Sequence, residues 1–363
     1  MVWWIRHAVA AALLCLSVVA AAAPCAGFTD VDDTNAFCPN VTWIKNRNVT
    51  LGCEPGLYCP TAPVSRLAMA AFLHRLGDVV LPPNVIWVAP VGGQFQSIQA
   101  AIDHAAGVPG PVPLLVKVAP GVFVEQLTIP PNIVVEGSGR GFTEIRAQGG
   151  CAAGAPSVGG VTLNENAQLR NVHVSLFPLG PGDCATIVIA NGVGVALKDV
   201  LVRIEGTAPV NYGVRILAAD TDNPLVLENV EVRASASFAS SARLIGVSLN
   251  GVPQQQVVLR DVDISSVGPD AIGLGIANVG VRLDRARVST IGTALSTLTA
   301  LSVNNALGVL VENSALQTSA GGTAVANTGT GTVRIASSLV DGSITGTTSC
   351  FGAYGPNMSA VAC

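Results

Sequence analysis

The chain is short of charge and of aromatic rings. Only 12% of its 363 residues are Asp, Glu, Lys or Arg and only 4% are Phe, Trp or Tyr, while half are apolar. A chain this apolar is not a solvated, disordered polymer. No Lys/Arg cluster stands out and the net charge is −4, which leaves no footprint for nucleic acid as a partner. With few large rings, a core must be filled by small aliphatic side chains, as in narrow, repetitive interiors. The 39 glycines point to strands joined by tight turns.

Long membrane-spanning runs are lacking too. The one candidate, Ala8 to Ala23, follows Arg6 and His7, is too short for a comfortable span and ends in small residues, so residues 1–23 read as a signal peptide. Export agrees with the cysteines. Cys15 leaves with the signal, and Cys25, Cys38, Cys53, Cys59, Cys151, Cys184, Cys350 and Cys363 remain as an even set suited to an oxidising compartment. Four fall early, two in the middle and two at the end, so local pairing is the simplest reading, with Cys151 to Cys184 and Cys350 to Cys363 as the expected bridges. Cys53 and Cys59 lack the Cys-x-x-Cys spacing or His partners of a zinc site and are taken as disulfide candidates, with no metal.

Two units follow. In residues 28–77, Val41 and Ile44, then Leu67, Ala70, Ala71, Phe72 and Leu73, recur at helical spacings and predict two short amphipathic helices around a Gly/Pro-bearing loop. The order Phe28-x-Asp30-Val31, Val49-Thr50-Leu51-Gly52, Val64-Ser65-Arg66 and Met69-Ala70-Ala71-Phe72-Leu73 resembles an S-layer homology domain of the Cys-containing bacterial variety. That resemblance implies anchoring to cell-wall polysaccharide, with Arg66 in the binding groove. Arg66 also reads as a residue that stabilises the start of a helix. One copy is present, where anchoring usually uses three.

Pro82 and Pro83 mark a stiff linker over residues 78–85. Beyond it, Ser97 N-caps a predicted helix, 97–106, whose Ile98, Ala101, Ile102 and Ala105 share one face; this is read as a lid on the repeat that follows. The repeat has two interleaved motifs. One runs Leu169-Arg-Asn171-Val-His-Val174, Leu197-Lys-Asp199-Val-Leu-Val202, Leu227-Glu-Asn229-Val-Glu-Val232 and Leu259-Arg-Asp261-Val-Asp-Ile264, with weaker copies from Leu283, Val311 and Ile335. The other runs Gly160-Val-Thr-Leu163, Thr186-Ile-Val-Ile189, Gly213-Val-Arg-Ile216, Gly246-Val-Ser-Leu249, Gly273-Leu-Gly-Ile276 and Ala300-Leu-Ser-Val303. Both recur at about one coil length. No copy can bury its apolar face alone, so the copies stack, with Val172, Val200, Val230 and Val262 in one interior column and the Asn/Asp positions at a turn. The fold class is all-β: a right-handed parallel β-helix over residues 86–345, closed by a Cys-bearing cap at 346–363, behind a small helical module.

The opening of this region, with Phe95-Gln96-Ser97-Ile98-Gln99-Ala100-Ala101-Ile102, Lys117 to Glu125 and Val135-Glu136-Gly137-Ser138-Gly139, closely resembles pectin methylesterases and their pectin-lyase-fold relatives. The resemblance implies that Gly121-Val122-Phe123-Val124-Glu125 is structural. It would also supply two Asp, a Gln and an Arg for attack on an ester. Where that family has Gln-Ala-Val-Ala-Leu and Asp-Phe-Ile-Phe-Gly, this chain has Ala185-Thr186-Ile187-Val188-Ile189 and Asn211-Tyr212-Gly213-Val214-Arg215, and it contains no Gln-Asp-Thr or Gly-Arg-Pro-Trp. The Gly-His-Gly of polygalacturonases is absent as well, and the Asp32-Asp33 pair lies in the first unit.

His104 and His173 read as isolated wall residues, Asp183 and Asp270 as turn residues, and Asp199 and Asp261 as members of the turn column. Asp220 and Asp222, in one long loop, are low-ranking ligand candidates; they would hold Ca²⁺ only in a lyase. No other cofactor is called for and no catalytic residue is assigned. The leading reading is an exported envelope or surface protein, non-catalytic, that binds a glycan, as cell-wall or extracellular polysaccharide, or another surface component. The alternatives are a diverged carbohydrate esterase or lyase, or a plain spacer. Acids and bases converging on one exterior strip would mark the enzyme.

Overall fold

The computed structural model describes residues 23–80, 85–108, 114–150, 159–179, 182–190, 193–206, 208–217, 225–237, 242–251, 256–293, 296–306, 308–319, 321–361 and 363. The expected signal peptide (save Ala23), Pro82 and Pro83, Cys151, Asp220 and Asp222 lie outside them. The chain divides into two compact units, Met1–Pro83 and Asn84–Cys363.

In the first unit a hairpin of Pro24–Cys25 and Phe28–Asp32 packs with α1 (Cys38–Asn46) around Cys25, Phe28, Val31 and Val41. Disulfides join Cys25 to Cys38 and Cys53 to Cys59, with Cα separations of 5.7 and 6.0 Å, within the ordinary range. Asp30 accepts hydrogen bonds from the backbone N–H of Tyr58 and Cys59 at 2.8 and 2.6 Å, tying the hairpin to the Cys53–Cys59 loop. The second expected helix is present as α2 (Arg66–Val80), which runs past the expected boundary at 77. Its apolar residues do not all turn inward: Ala68, Ala71, Phe72 and Leu76 are half-buried, but Leu67 and Leu73 are 85% and 59% exposed. The run from Leu67 to Leu73 is apolar on every side of the helix, and the small core is already filled by the hairpin and α1.

The second unit is a right-handed parallel β-helix. Every named strand pairing in it is parallel, and each strand meets its counterpart one coil later. One long sheet includes Gln168–Leu179, Ala196–Glu205 and Leu225–Ser235; the later coils divide the same path into two strands, such as Gln256–Arg260 and Asp263–Val267. Among the described residues nine strands, from Leu127–Ile129 to Ser343–Thr345, form the other sheet. Inside, like stacks on like. Leu169, Leu197, Leu227 and Leu259 are in register, as are Val174, Val202, Val232 and Ile264, and none of these is exposed. Val172, Val200, Val230 and Val262 are also buried, as the motif predicted.

The turn column has a backbone cause. Asn171, Asp199, Asn229, Asp261, Arg285, Asn313 and Ser337 all adopt left-handed φ between 48° and 55°, a region Asn and Asp tolerate better than other side chains. Their side chains bond along the stack, Asn229 donating to Asp199. Arg285 departs from the pattern and compensates by donating to both oxygens of Asp261, at 2.7 and 2.8 Å. The glycine motif has a steric cause. A Cβ on Gly246 would lie 2.4 Å from Ile264 Cγ2 and 2.7 Å from the Gly273 carbonyl oxygen.

The lid helix is α3 (Ile98–Ala106), which buries Ile98, Ala101, Ile102 and Ala105 against strands that include Val85–Val88, Leu114–Val118 and Leu127–Ile129. Ser97 accepts from Ala100 N–H, and the Glu125 carboxylate accepts from Ile98 and Gln99 N–H, both at 3.0 Å, so the Gly121–Glu125 segment closes the positive end of this helix. At the other end, Thr348–Phe351 pairs with Val333–Ala336, so the coil continues beyond the expected limit at 345. Cys350 and Cys363 are bridged there with Cα atoms 5.6 Å apart. Cys184 is disulfide-bonded as well.

Candidate functional site

Period two sets the outer wall. On each strand of the long sheet the residues between the buried ones face out, and parallel register lines them up coil after coil. One row reads Glu144, His173, Leu201, Glu231, Asp263, Arg287. The next, two residues on, reads Arg146, Ser175, Arg203, Arg233, Ser265, Ser289. At ~4.8 Å per step the five steps of either row span about 24 Å. These residues are the x of each Asn-Val-x-Val repeat and the position two beyond it.

Over the last four coils of the strip lies a groove of about 520 Å³, lined by Arg203, Glu231, Arg233, Asp263 and Arg287, with Val267 and Ile291 along one edge. The volume falls within the range of ligand sites. Glu231 accepts from Arg233 Nε at 2.6 Å and lies 3.7 Å from Arg140, so two guanidiniums face its carboxylate. Asp263, one coil on, is held above the usual carboxylate range, first by partial burial and then by the charge of Glu231, against the pull of Arg287 and Arg233. Its side chain still reaches solvent. Arg203 pairs with Glu205, whereas Arg287 forms no salt bridge among the described residues.

Upstream in the same strip, Arg146 beside Glu144 holds that carboxyl below its usual range, and the Ser175 hydroxyl donates to it at 2.8 Å. His173 stands across the rung from Glu144, so the expectation of an isolated histidine is corrected: stacking brings together residues 29 positions apart. Burial pushes its imidazole below the usual value, against the attraction of Glu144, and its Nε2 is buried without a hydrogen-bond partner among the described residues.

The other singled-out residues lie elsewhere. Ala185–Ile189 and Asn211–Arg215, the segments compared with the esterase motifs, are on the nine-stranded sheet. There the Arg215 guanidinium sits 4.6 Å over the Tyr212 ring, and Arg243 bonds Asp270 at 2.8 Å. His104 packs beside Phe95. In the first unit Arg66 opens α2, exposed, with no hydrogen bond or ion pair among the described residues. It does not line the 220 Å³ pocket formed there by Cys53, Tyr58, Cys59 and Phe72.

Sequence inspection missed Glu144, Glu231, Asp263 and Arg287. The signal was present, because aligning the Asn-Val-x-Val copies puts His173, Leu201, Glu231 and Asp263 in one column. Asp261 carries the turn signal of its repeat, and Asp263, two positions on, carries none of its own.

No family model matches this chain, and no curated protein matches it. Solved structures align with most of the chain. Carrot pectin methylesterase aligns at 13% identity and a TM-score of 0.45, covering 75% of this chain and 84% of that one. The pectin methylesterase PemA from Erwinia chrysanthemi aligns at 12% and 0.39, covering 76% and 90%. The A-module of mannuronan C-5 epimerase AlgE4 from Azotobacter vinelandii aligns at 12% and 0.23, covering 73% and 94%.

Proposed function

We propose that this is an exported surface protein whose β-helix binds an acidic polysaccharide lengthwise along the charged strip. The observation that carries the reading is the groove itself, which gathers Arg203, Arg233 and Arg287 on three coils, with Val267 and Ile291 beside them. Guanidiniums recognise carboxylates through paired N–H donors, and an aliphatic edge accepts the apolar face of a sugar ring. Arg287 is the best placed to receive a carboxylate, since no salt bridge among the described residues occupies it. Export rests on the disulfides of both units and on the apolar start of the chain.

The first unit would hold the protein to the wall, with Arg66 offered to polysaccharide at the exposed start of α2. Cell-wall pull-down of the full mature chain, with Arg66→Ala beside it, tests this. Equal retention of both removes Arg66 from the site. For the strip, titration calorimetry with polygalacturonate is the test. Binding should weaken about tenfold or more in Arg287→Gln and fall with rising salt. Unchanged affinity in Arg287→Gln and Arg203→Gln would end the reading.

A further inference from the structure

We propose that Glu231 and Asp263 form a retaining glycosidase centre in this groove, cleaving a uronic-acid-bearing glycan; the proposal rests on the glycan-binding reading of the same groove. The two carboxyls face outward in register on neighbouring coils. Backbones in register on neighbouring coils lie ~4.8 Å apart, so two side chains rising from them can bring their carboxyls to the ~5–5.5 Å of retaining enzymes. Their surroundings differ in the required sense. Arg233 donates to Glu231 and Arg140 faces it, while partial burial and the charge of Glu231 favour the proton on Asp263. Arg287 beside Asp263 and Arg203 on the far side of Glu231 are placed to take the carboxylates of sugars on either side of the scissile bond. The centre is not a displaced esterase site, since the segments compared with esterase motifs lie on the other sheet.

The chemistry closes with water alone. Asp263 gives its proton to the glycosidic oxygen, which leaves with the bonding pair as a Glu231 carboxylate oxygen bonds to the anomeric carbon. Water then attacks that carbon, Asp263 takes the water's proton, and Glu231 departs as a carboxylate. One water is consumed, an alcohol and a hemiacetal are formed, and the anomeric configuration is retained.

The experiment uses the full mature chain with polygalacturonate and with aryl glycosides of glucuronic and galacturonic acid, in both anomeric forms. Proton NMR of the first-formed product should show retention, and a 2-fluoro aryl uronide should leave a covalent label on the Glu231 peptide by mass spectrometry. Glu231→Gln and Asp263→Asn should each lower kcat by about 10³-fold or more, while Asp263→Asn keeps most of its kcat/KM on the glycoside with the best leaving group, where only the second step needs the lost base. Melting temperature and polygalacturonate affinity show whether each variant is folded and still binds. Binding without cleavage of any of these substrates overturns the catalytic proposal and leaves the binding reading standing. No binding overturns both. Cleavage that survives in Glu231→Gln, or that inverts, also overturns the proposal.

Discussion

On the strand Leu225–Ser235, the inward Val232 has Val202 and Ile264 as its neighbours on the adjoining coils, while Glu231, one residue away and outward, has Leu201 and Asp263. The inner face repeats because each side chain must fill space against its own kind, with no water to fill a gap. The outer face meets solvent and is free of that demand. Residues placed there are not required by the fold, so a gathering of three arginines and two carboxyls on the outside calls for a different explanation from a column of valines on the inside.

The sharpest break in that comparison comes from truncating one residue of each kind. Leu227→Ala, fully buried, should cost about 2–5 kcal/mol in urea denaturation. Leu201→Ala, outward on the preceding coil, should cost less than about 1 kcal/mol. Comparable losses would mean that the two faces are not energetically distinct. Glycines offer the same contrast by addition. Gly246→Ala pushes a methyl against Ile264 and the Gly273 carbonyl and should cost about 1–3 kcal/mol, whereas on outward Gly275 the nearest atoms stand 3.9 Å away and Ala should be nearly neutral.

A smaller effect tests the turn column. Asn229 has φ 53°, so Asn229→Ala should lose about 1 kcal/mol, and Asn229→Gly should recover most of it. The smallest effect is electrostatic. Asp263 has its carboxyl raised by folding, so its contribution is present at low pH and lost as pH rises through that raised value; Asp263→Asn should therefore raise the melting temperature slightly at pH 7 and remove this slope. Glu144, lowered by Arg146, contributes in the opposite sense, with stability present above the ordinary carboxylate range and lost as pH falls through its lowered value. Glu144→Gln should lower the melting temperature at pH 7. Identical pH profiles for both variants and the parent would contradict these assignments.

The inner face was open to sequence reading because repetition is self-averaging: Leu169 to Leu283 and Val174 to Val288 announce one column each even when single copies drift. Ser97, Ile98 and Ala101 were likewise readable, because cap and face lie within one helix. The strip was harder. Glu144, His173, Glu231 and Asp263 become neighbours only through stacking, and Glu144 precedes the first clear copy of the motif by a full coil. In the first unit, helical periodicity predicted α2 but not its exposure, since an apolar run on all sides of a helix does not say which side finds a partner.

The central claim is that folding is written inside the coil and binding outside it. A strip variant carrying Arg203→Ser, Arg233→Ser and Arg287→Ser, with every inward residue intact, tests it most directly by affinity electrophoresis in polygalacturonate beside a thermal melt. The account predicts a melting temperature close to the parent's and loss of the retardation by polysaccharide. A variant that is retarded as strongly as the parent, while melting normally, would contradict it.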